Sequence, residues 1–213
     1  MRVGVVGAGW IAEKAAITLS GLQERERHTG LFRHKENAGG QCECYAIASR
    51  SLAKAQEFAS RWNVPKAYGS YEELIADPDV DLVYVATPHS HHYDVTCQAI
   101  LAGKPCLVEK AFMANHAQAE AIVKLAHERK VFLAEAIWTR YQPAVGIVRG
   151  LIDSGRIGTP RLVPPHWAIQ WAINRALCAP TSAVAPCSIW AFTRSTLCVC
   201  FSMPILPQSR ASV

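Results

Sequence analysis

The chain has 213 residues, half of them hydrophobic and 18% charged, which suits a folded core of one large domain or one and a half ordinary ones and excludes a disordered chain. Its formal charge of +5 is uneven: residues 1–158 hold 18 basic and 17 acidic side chains, whereas 159–213 hold four Arg (161, 175, 194, 210), no Lys and no acid. That thin excess is no basic patch, and no run reaches the roughly 18 apolar residues of a membrane span, so neither nucleic acid nor a membrane is expected as partner.

The first element is an apolar strand over 2–6, running into Val5-Val6-Gly7-Ala8-Gly9-Trp10-Ile11-Ala12. The pattern is strand, sharp turn through G-x-G-x-x-A, then helix. Gly7 allows the tight turn, Gly9 lets the backbone approach a pyrophosphate, and Ala12 lets the helix pack close on the strand. The helix N-terminus at Trp10 and Ile11 offers unpaired N–H groups to phosphates. An ordinary glycine-containing strand–turn–helix is the other reading of the same residues. With only Arg2 ahead of the first apolar run, nothing there is long enough for a signal-peptide core, and a cytoplasmic protein is expected.

Residues 24–43 are polar, charged and aperiodic, and read as a surface insertion ahead of the second strand, 44–49. Leu52, Ala55, Phe58, Ala59 and Trp62 form an apolar stripe at helical spacing, followed by a short extended piece at 66–68. Ser70 with Glu73, and Asn115 with Gln118, mark helix starts with reciprocal capping. Further strands are expected over 82–87, 105–108 and 131–135, and Ala119, Ile122, Val123 and Ala126 make another helical stripe. Strands alternating with helices predict a doubly wound parallel α/β sheet.

In such a sheet, ligands lie beyond the carboxyl ends of the strands. After the second strand, Ser49 and Arg50 stand where an NAD-binding chain places Asp or Glu for the ribose 2′-OH. A hydroxyl and a guanidinium suit a 2′-phosphate instead, favouring NADP over NAD, unless Arg50 is only a surface residue at a helix start. After the next central strand come Thr87-Pro88-His89-Ser90-His91-His92, where Pro88 forces the chain to turn. Three histidines invite a metal, but no carboxylate shares their spacing and a single loop rarely encloses a site. The cysteine pairs Cys42/Cys44 and Cys198/Cys200 lack a matching His or Cys cluster, so no metal is expected and the thiols are read as free. His89 is placed near the nicotinamide, while His91 and His92 are expected to begin a helix at the surface. Glu109 and Lys110 close an apolar strand at the cleft, where either is costly to bury unpaired. A lysine there can orient a substrate hydroxyl or transfer its proton; the alternative is a surface Glu–Lys pair.

G-A-G-W-I-A (7–12), the A-T-P-H loop (86–89) and E-K-A (109–111) together resemble the Gfo/Idh/MocA oxidoreductases, whose third motif usually reads E-K-P. Ala111 departs from that proline and leaves the lysine intact. The segments A-Y-G-S-Y-E-E-L (67–74) and E-A-I-W-T-R-Y (135–141) are most similar to family members that use NADP on trans-dihydrodiols or on sugars such as xylose. The resemblance spans about 1–158 apart from 24–43. It implies a Rossmann domain over 1–136, NADP as cofactor, a small diol or sugar substrate, Lys110 as the catalytic lysine and Trp138 near the substrate. It also implies that Thr87, Pro88, His89 and Glu109 border the cofactor.

Residues 137–158 then read as a linker whose helix, Ile147 to Ile157, leads into the family's α/β C-terminal domain. That domain supplies an acid/base Tyr or His, most of the substrate pocket and the interface of a homodimer. Here, however, no Tyr follows Tyr141, and the only later His is His166. From 159 to 213 there is no glycine, but seven prolines and three tryptophans (167, 171, 190). The tail is expected to have no independent fold, a truncated and poorly ordered remnant of that domain, as an altered reading frame or unspliced segment would produce. A hydrophobic tail docking on a partner is the alternative. The expected function is NADP-dependent oxidoreductase, with this chain inactive through loss of the C-terminal domain, or else a non-catalytic NADP-binding or regulatory partner of a full-length subunit.

Overall fold

The computed structural model describes residues 1–28 and 42–160, with the backbone alone at 21–28 and 139. The described chain divides into two compact units, Met1–Ala136 and a second that begins at Ile137. In the first unit the order is β1 (Arg2–Val6), α1 (Trp10–His28), β2 (Glu43–Ala48), α2 (Leu52–Trp62), β3 (Lys66–Tyr68), α3 (Tyr71–Ala76), β4 (Leu82–Val85), a 3₁₀ turn (His89–His91), α4 (His92–Leu101), β5 (Cys106–Glu109), α5 (His116–Arg129) and β6 (Leu133–Ala136). All six strands are parallel, in the order β3-β2-β1-β4-β5-β6. This is the doubly wound sheet that the alternation of strands and helices predicts.

The near-continuous apolar strands follow from helices covering both faces. On one face Val6, Val85 and Val108 pack with Ile100 of α4 and Ile122 of α5. On the other, Val5, Ile47 and Tyr84 pack with Ala12 of α1 and Phe58 of α2. The α2 stripe is realised in part, with Ala55 and Phe58 buried but Leu52 exposed, and so is that of α5, with Ile122 and Ala126 buried but Val123 exposed. Both expected helix starts are capped, since Ser70 Oγ accepts from the Glu73 N–H and Asn115 Oδ1 from the Gln118 N–H. The return bonds reach one residue further back than a capping box predicts. Glu73 accepts from the Gly69 N–H and Gln118 from the Ala114 N–H.

Helix α1 continues to His28 and β2 opens at Glu43, so the ends of the expected 24–43 insertion are helix and strand; residues 29–41 lie outside the described ones. Cys42, Cys44, Cys97 and Cys106 are free thiols. Among the described residues no helix is long and apolar enough to cross a membrane.

The second unit contains a 3₁₀ turn (Trp138–Tyr141) and α6 (Pro143–Asp153). This helix starts and ends four residues before the 147–157 read from the sequence. Pro143 is favoured at a first helical position, where its missing N–H costs nothing, and Gly155 (φ +72°) follows the end. Within α6, Arg149 and Asp153 form an ion pair at 3.7 Å. From Arg161 on, the expected tail lies outside the described residues.

Candidate cofactor site and lysine loop

Because the strands are parallel, the loops after β1, β2, β4 and β5 all leave one edge of the sheet. The strand order reverses between β1 and β4, and the crevice at such a reversal is where open α/β sheets bind ligands. Gly7 sits in that crevice with φ +103°, and a Cβ there would lie 2.7 Å from Ala86 O at the end of β4. Gly9 has no atom within 4 Å of the place a Cβ would take. The first backbone bond of α1 runs from the Glu13 N–H to Gly9 O at 3.2 Å, so the N–H groups of Trp10, Ile11 and Ala12 precede the helical ladder. Ala12 is fully buried, Ile11 half-buried, and Trp10 exposed beside the Lys14 ammonium. An open glycine with unpaired donors next to it fits a pyrophosphate.

Beyond β2, Ser49 is half-buried and Arg50 exposed. The charge of Arg50 is felt at Tyr71, whose phenol burial pushes up and Arg50 opposes. Among the described residues Arg50 is exposed, which leaves the guanidinium open to an anion.

The β4 and β5 loops are joined through side chains. Pro88 is exposed and extended, and β4 stops at Val85, two residues short of the expected 82–87 strand. Thr87 is buried, and its Oγ1 has no hydrogen-bond partner. His89 is half-buried, and its Nε2 donates to Lys110 O at 2.9 Å. Burial, with His92 nearby, lowers the pKa of His89, so it is neutral at pH 7.

His92 departs from expectation. It does begin a helix, but it is wholly buried, with Nε2 3.0 Å from Thr87 O and Nδ1 3.0 and 3.2 Å from Ala111 O and Phe112 O. Burial holds its pKa low as well, so the neutral ring donates its one N–H to one side only.

Glu109 and Lys110 do not form a surface pair; both are half-buried. Glu109 Oε1 accepts from the Tyr84 hydroxyl, and Oε2 accepts from the Lys110 N–H at 3.2 Å. Burial, then the Glu109 charge, drives the Tyr84 pKa far up, keeping the phenol protonated. The Lys110–Ala111 peptide is cis. One strand further, Glu135 Oε1 accepts from the Phe112 N–H at 3.1 Å. Burial first, and Glu109 in addition, push the Glu135 pKa to about 7 against the opposing Phe112 N–H.

The parallel sheet therefore gathers Gly7, Gly9, Ser49, Arg50, Thr87, Pro88, His89, Glu109 and Lys110 along one edge. Trp138 belongs to the second unit, where its side chain is exposed. Two residues escaped the sequence reading, Tyr84 and Glu135, and a third, His92, was read as a surface residue. The signal for Glu135 was present, an acid inside the apolar Leu133-Ala-Glu-Ala strand, as Glu109 is in its own. Among the described residues no three His, Cys, Asp or Glu side chains cluster as metal ligands would. A groove of about 420 Å³ lined by Val123, His127, Lys130 and Phe132 lies toward the opposite edge of the sheet, where β6 begins.

Residues 1–136 match the family described as oxidoreductases with an NAD-binding Rossmann fold. This chain belongs to the Gfo/Idh/MocA oxidoreductase family. It is 39% identical over 162 residues to trans-1,2-dihydrobenzene-1,2-diol dehydrogenase of Mus musculus, covering 76% of this chain and 44% of that one. It is 53% identical over 121 residues to D-xylose 1-dehydrogenase (NADP(+)) of Hypocrea jecorina, covering 55% and 31%. Among solved structures, a 3-ketoreductase of Actinomadura kijaniata in complex with NADP superposes with a TM-score of 0.59 at 32% identity, covering 74% of this chain and 45% of that one. The chain spans less than half the length of each of these relatives.

Proposed function

We propose that this chain binds NADP and carries the cofactor-binding part of an oxidoreductase that transfers a hydride between the nicotinamide and a small diol or sugar, with Lys110 as the catalytic lysine. The observation that carries this reading is the open glycine turn on the same sheet edge as an uncovered Arg50 and the held Lys110 loop. The substrate class rests on the likeness to the dihydrodiol and xylose dehydrogenases, and NADP rests on Arg50 and on the NADP of the xylose dehydrogenase and the 3-ketoreductase.

In this reading the backbone N–H groups of Gly9, Trp10, Ile11 and Ala12 hold the diphosphate, and Gly7 keeps the turn tight against β4. Ser49 and Arg50 take the 2′-phosphate, the guanidinium through charge-assisted hydrogen bonds. Thr87, Pro88, His89 and Glu109 border the nicotinamide end. When bound, the nicotinamide supplies the two-electron redox chemistry. Lys110 donates a hydrogen bond to the substrate oxygen and exchanges its proton as the hydroxyl–carbonyl interconversion proceeds. Trp138 takes part of the substrate surface, the protein works in the cytoplasm without a membrane partner, and a homodimer is what the family suggests.

Titration with NADPH and with NADH, followed by tryptophan quenching, tests the cofactor reading, with tighter binding of NADPH expected. A chain that binds neither overturns it. Nicotinamide absorbance with a trans-dihydrodiol or D-xylose then tests turnover. The composition of residues 159–213, without glycine or acid, favours a second reading, a non-catalytic NADP-binding or regulatory partner of a full-length subunit. NADPH binding without turnover, with co-purification of such a subunit, selects this reading; normal turnover rejects it.

A further inference from the structure

The backbone of Lys110–Phe112 follows β5 and precedes the cap of α5, and four ionisable side chains from separate elements hold it. Glu109 accepts from the Lys110 N–H at 3.2 Å, and His89 donates to Lys110 O at 2.9 Å. His92 faces Ala111 O and Phe112 O at 3.0 and 3.2 Å, and Glu135 accepts from the Phe112 N–H at 3.1 Å. Buried backbone groups require partners, and loops usually find them in turns or water. This loop finds them in side chains that titrate.

Glu135 and Glu109 are both anchored in the sheet, but Glu109 adjoins the loop in sequence, whereas Glu135 belongs to the neighbouring strand. With its backbone in register with Val108 of β5, Glu135 reaches the loop by its side chain alone. We propose that Glu135 is a positioning residue for Lys110: its carboxylate, rooted in β6, pins the Phe112 amide and so sets where the lysine is presented, and its charge state decides how firmly. The inference rests on the reading of Lys110 as the catalytic lysine.

The physical basis is the strength of the bond in each charge state. An ionised carboxylate accepts an N–H roughly twice as strongly as a neutral group does. The groups facing Glu135 and this loop are Glu109 from β5, with Tyr84 of β4 bonded to it, His92 from α4, His89 from the 3₁₀ turn, and Lys110 itself. Burial keeps both histidines neutral and Tyr84 protonated near pH 7, and there Glu135 changes charge. Loss of a proton from Glu135 tightens the hold on Phe112 while adding repulsion from Glu109, and the segment between them carries Lys110.

The test is NMR of the full chain, following the Phe112 amide, the ¹³C-labelled side chain of Lys110 and the labelled Glu135 carboxyl from about pH 5 to pH 9, a span bracketing a raised carboxyl. All three are expected to move together with a midpoint at about 7. In Glu135→Gln the step disappears from both Phe112 and Lys110, and in Glu135→Asp it returns with a displaced midpoint. Retention of the Lys110 step in Glu135→Gln overturns the proposal. So does a wild-type Phe112 step that leaves Lys110 unmoved, because Glu135 would then be only a structural ligand. Should Glu135→Gln fail to fold, the wild-type carboxyl decides: a midpoint near the ordinary value of about 4.3 refutes the inference. Lys110→Ala separates the two readings. If it leaves turnover of the complete enzyme intact, the catalytic role of Lys110 fails, while the Phe112 step still reports on Glu135.

Discussion

Replacing Gly7 by alanine sets a Cβ 2.7 Å from Ala86 O on a backbone held at φ +103°. Two costs add. Left-handed backbone disfavours an L-residue by roughly 1–2 kcal/mol. The contact is with a backbone carbonyl, and the Ala86 N–H is tied to Val6 O at 2.9 Å, so relief requires moving β4 rather than rotating a side chain. Overpacking of this kind costs roughly 1–3 kcal/mol. A loss of about 3 kcal/mol lowers the melting temperature by roughly 6–12 °C for a chain of this size.

Gly9→Ala is the matched control, because its Cβ meets nothing within 4 Å and its φ is not in the left-handed region. Its stability should stay within about 0.5 kcal/mol of wild type. NADPH affinity should nevertheless fall at least tenfold, about 1.4 kcal/mol, because the new methyl occupies the place of the diphosphate. Calorimetric melting and fluorescence titration of both variants read the two effects separately. A Gly7→Ala chain as stable as wild type refutes the steric argument, and a Gly9→Ala chain that binds NADPH normally refutes the phosphate cradle.

Arg50→Ala should raise the Kd for NADPH by roughly 10- to 100-fold, the worth of a charged hydrogen bond, and leave NADH unchanged; equal losses for both cofactors would remove the 2′-phosphate role. His92→Leu leaves at least one of Thr87 O, Ala111 O and Phe112 O without a donor and should cost roughly 1–3 kcal/mol in urea unfolding. An unchanged unfolding midpoint would show that solvent replaces the ring.

Glu135 also sets a slope in stability against pH. Its folded pKa, about 7, lies above its unfolded value, so its favourable contribution is full below the unfolded pKa and is lost as pH rises through 7. His89 and His92 are shifted the other way and lose stability as pH falls, so the wild-type curve mixes opposite trends. The difference between wild type and Glu135→Gln isolates the carboxyl. The variant should gain on wild type by roughly 1–2 kcal/mol between pH 5 and pH 8, a figure discounted for partial exposure. Parallel curves would refute the raised pKa.

The features legible in the sequence are those decided within a few residues or by periodicity. Gly7, Gly9 and Ala12 announce the turn because backbone conformation and close approach admit few side chains there. Ser70 and Asn115 announce helix starts because the N–H groups that their side-chain oxygens accept from lie three residues on. The alternation of apolar runs implies a parallel sheet, and a parallel sheet by itself carries Arg50, His89 and Lys110 to one edge. What the tertiary structure decided are the partners at long separation. Nothing local distinguishes His92 from His91, yet α4 buries the first against carbonyls 19 and 20 residues away. Tyr84 reads as an ordinary strand aromatic until β5 brings Glu109 to its hydroxyl, 25 residues on. Glu135 reaches Phe112 across 23 residues, only because β6 lies beside β5. A residue's own type and spacing state what it can bond, but the packing of the sheet determines which group is there to bond it.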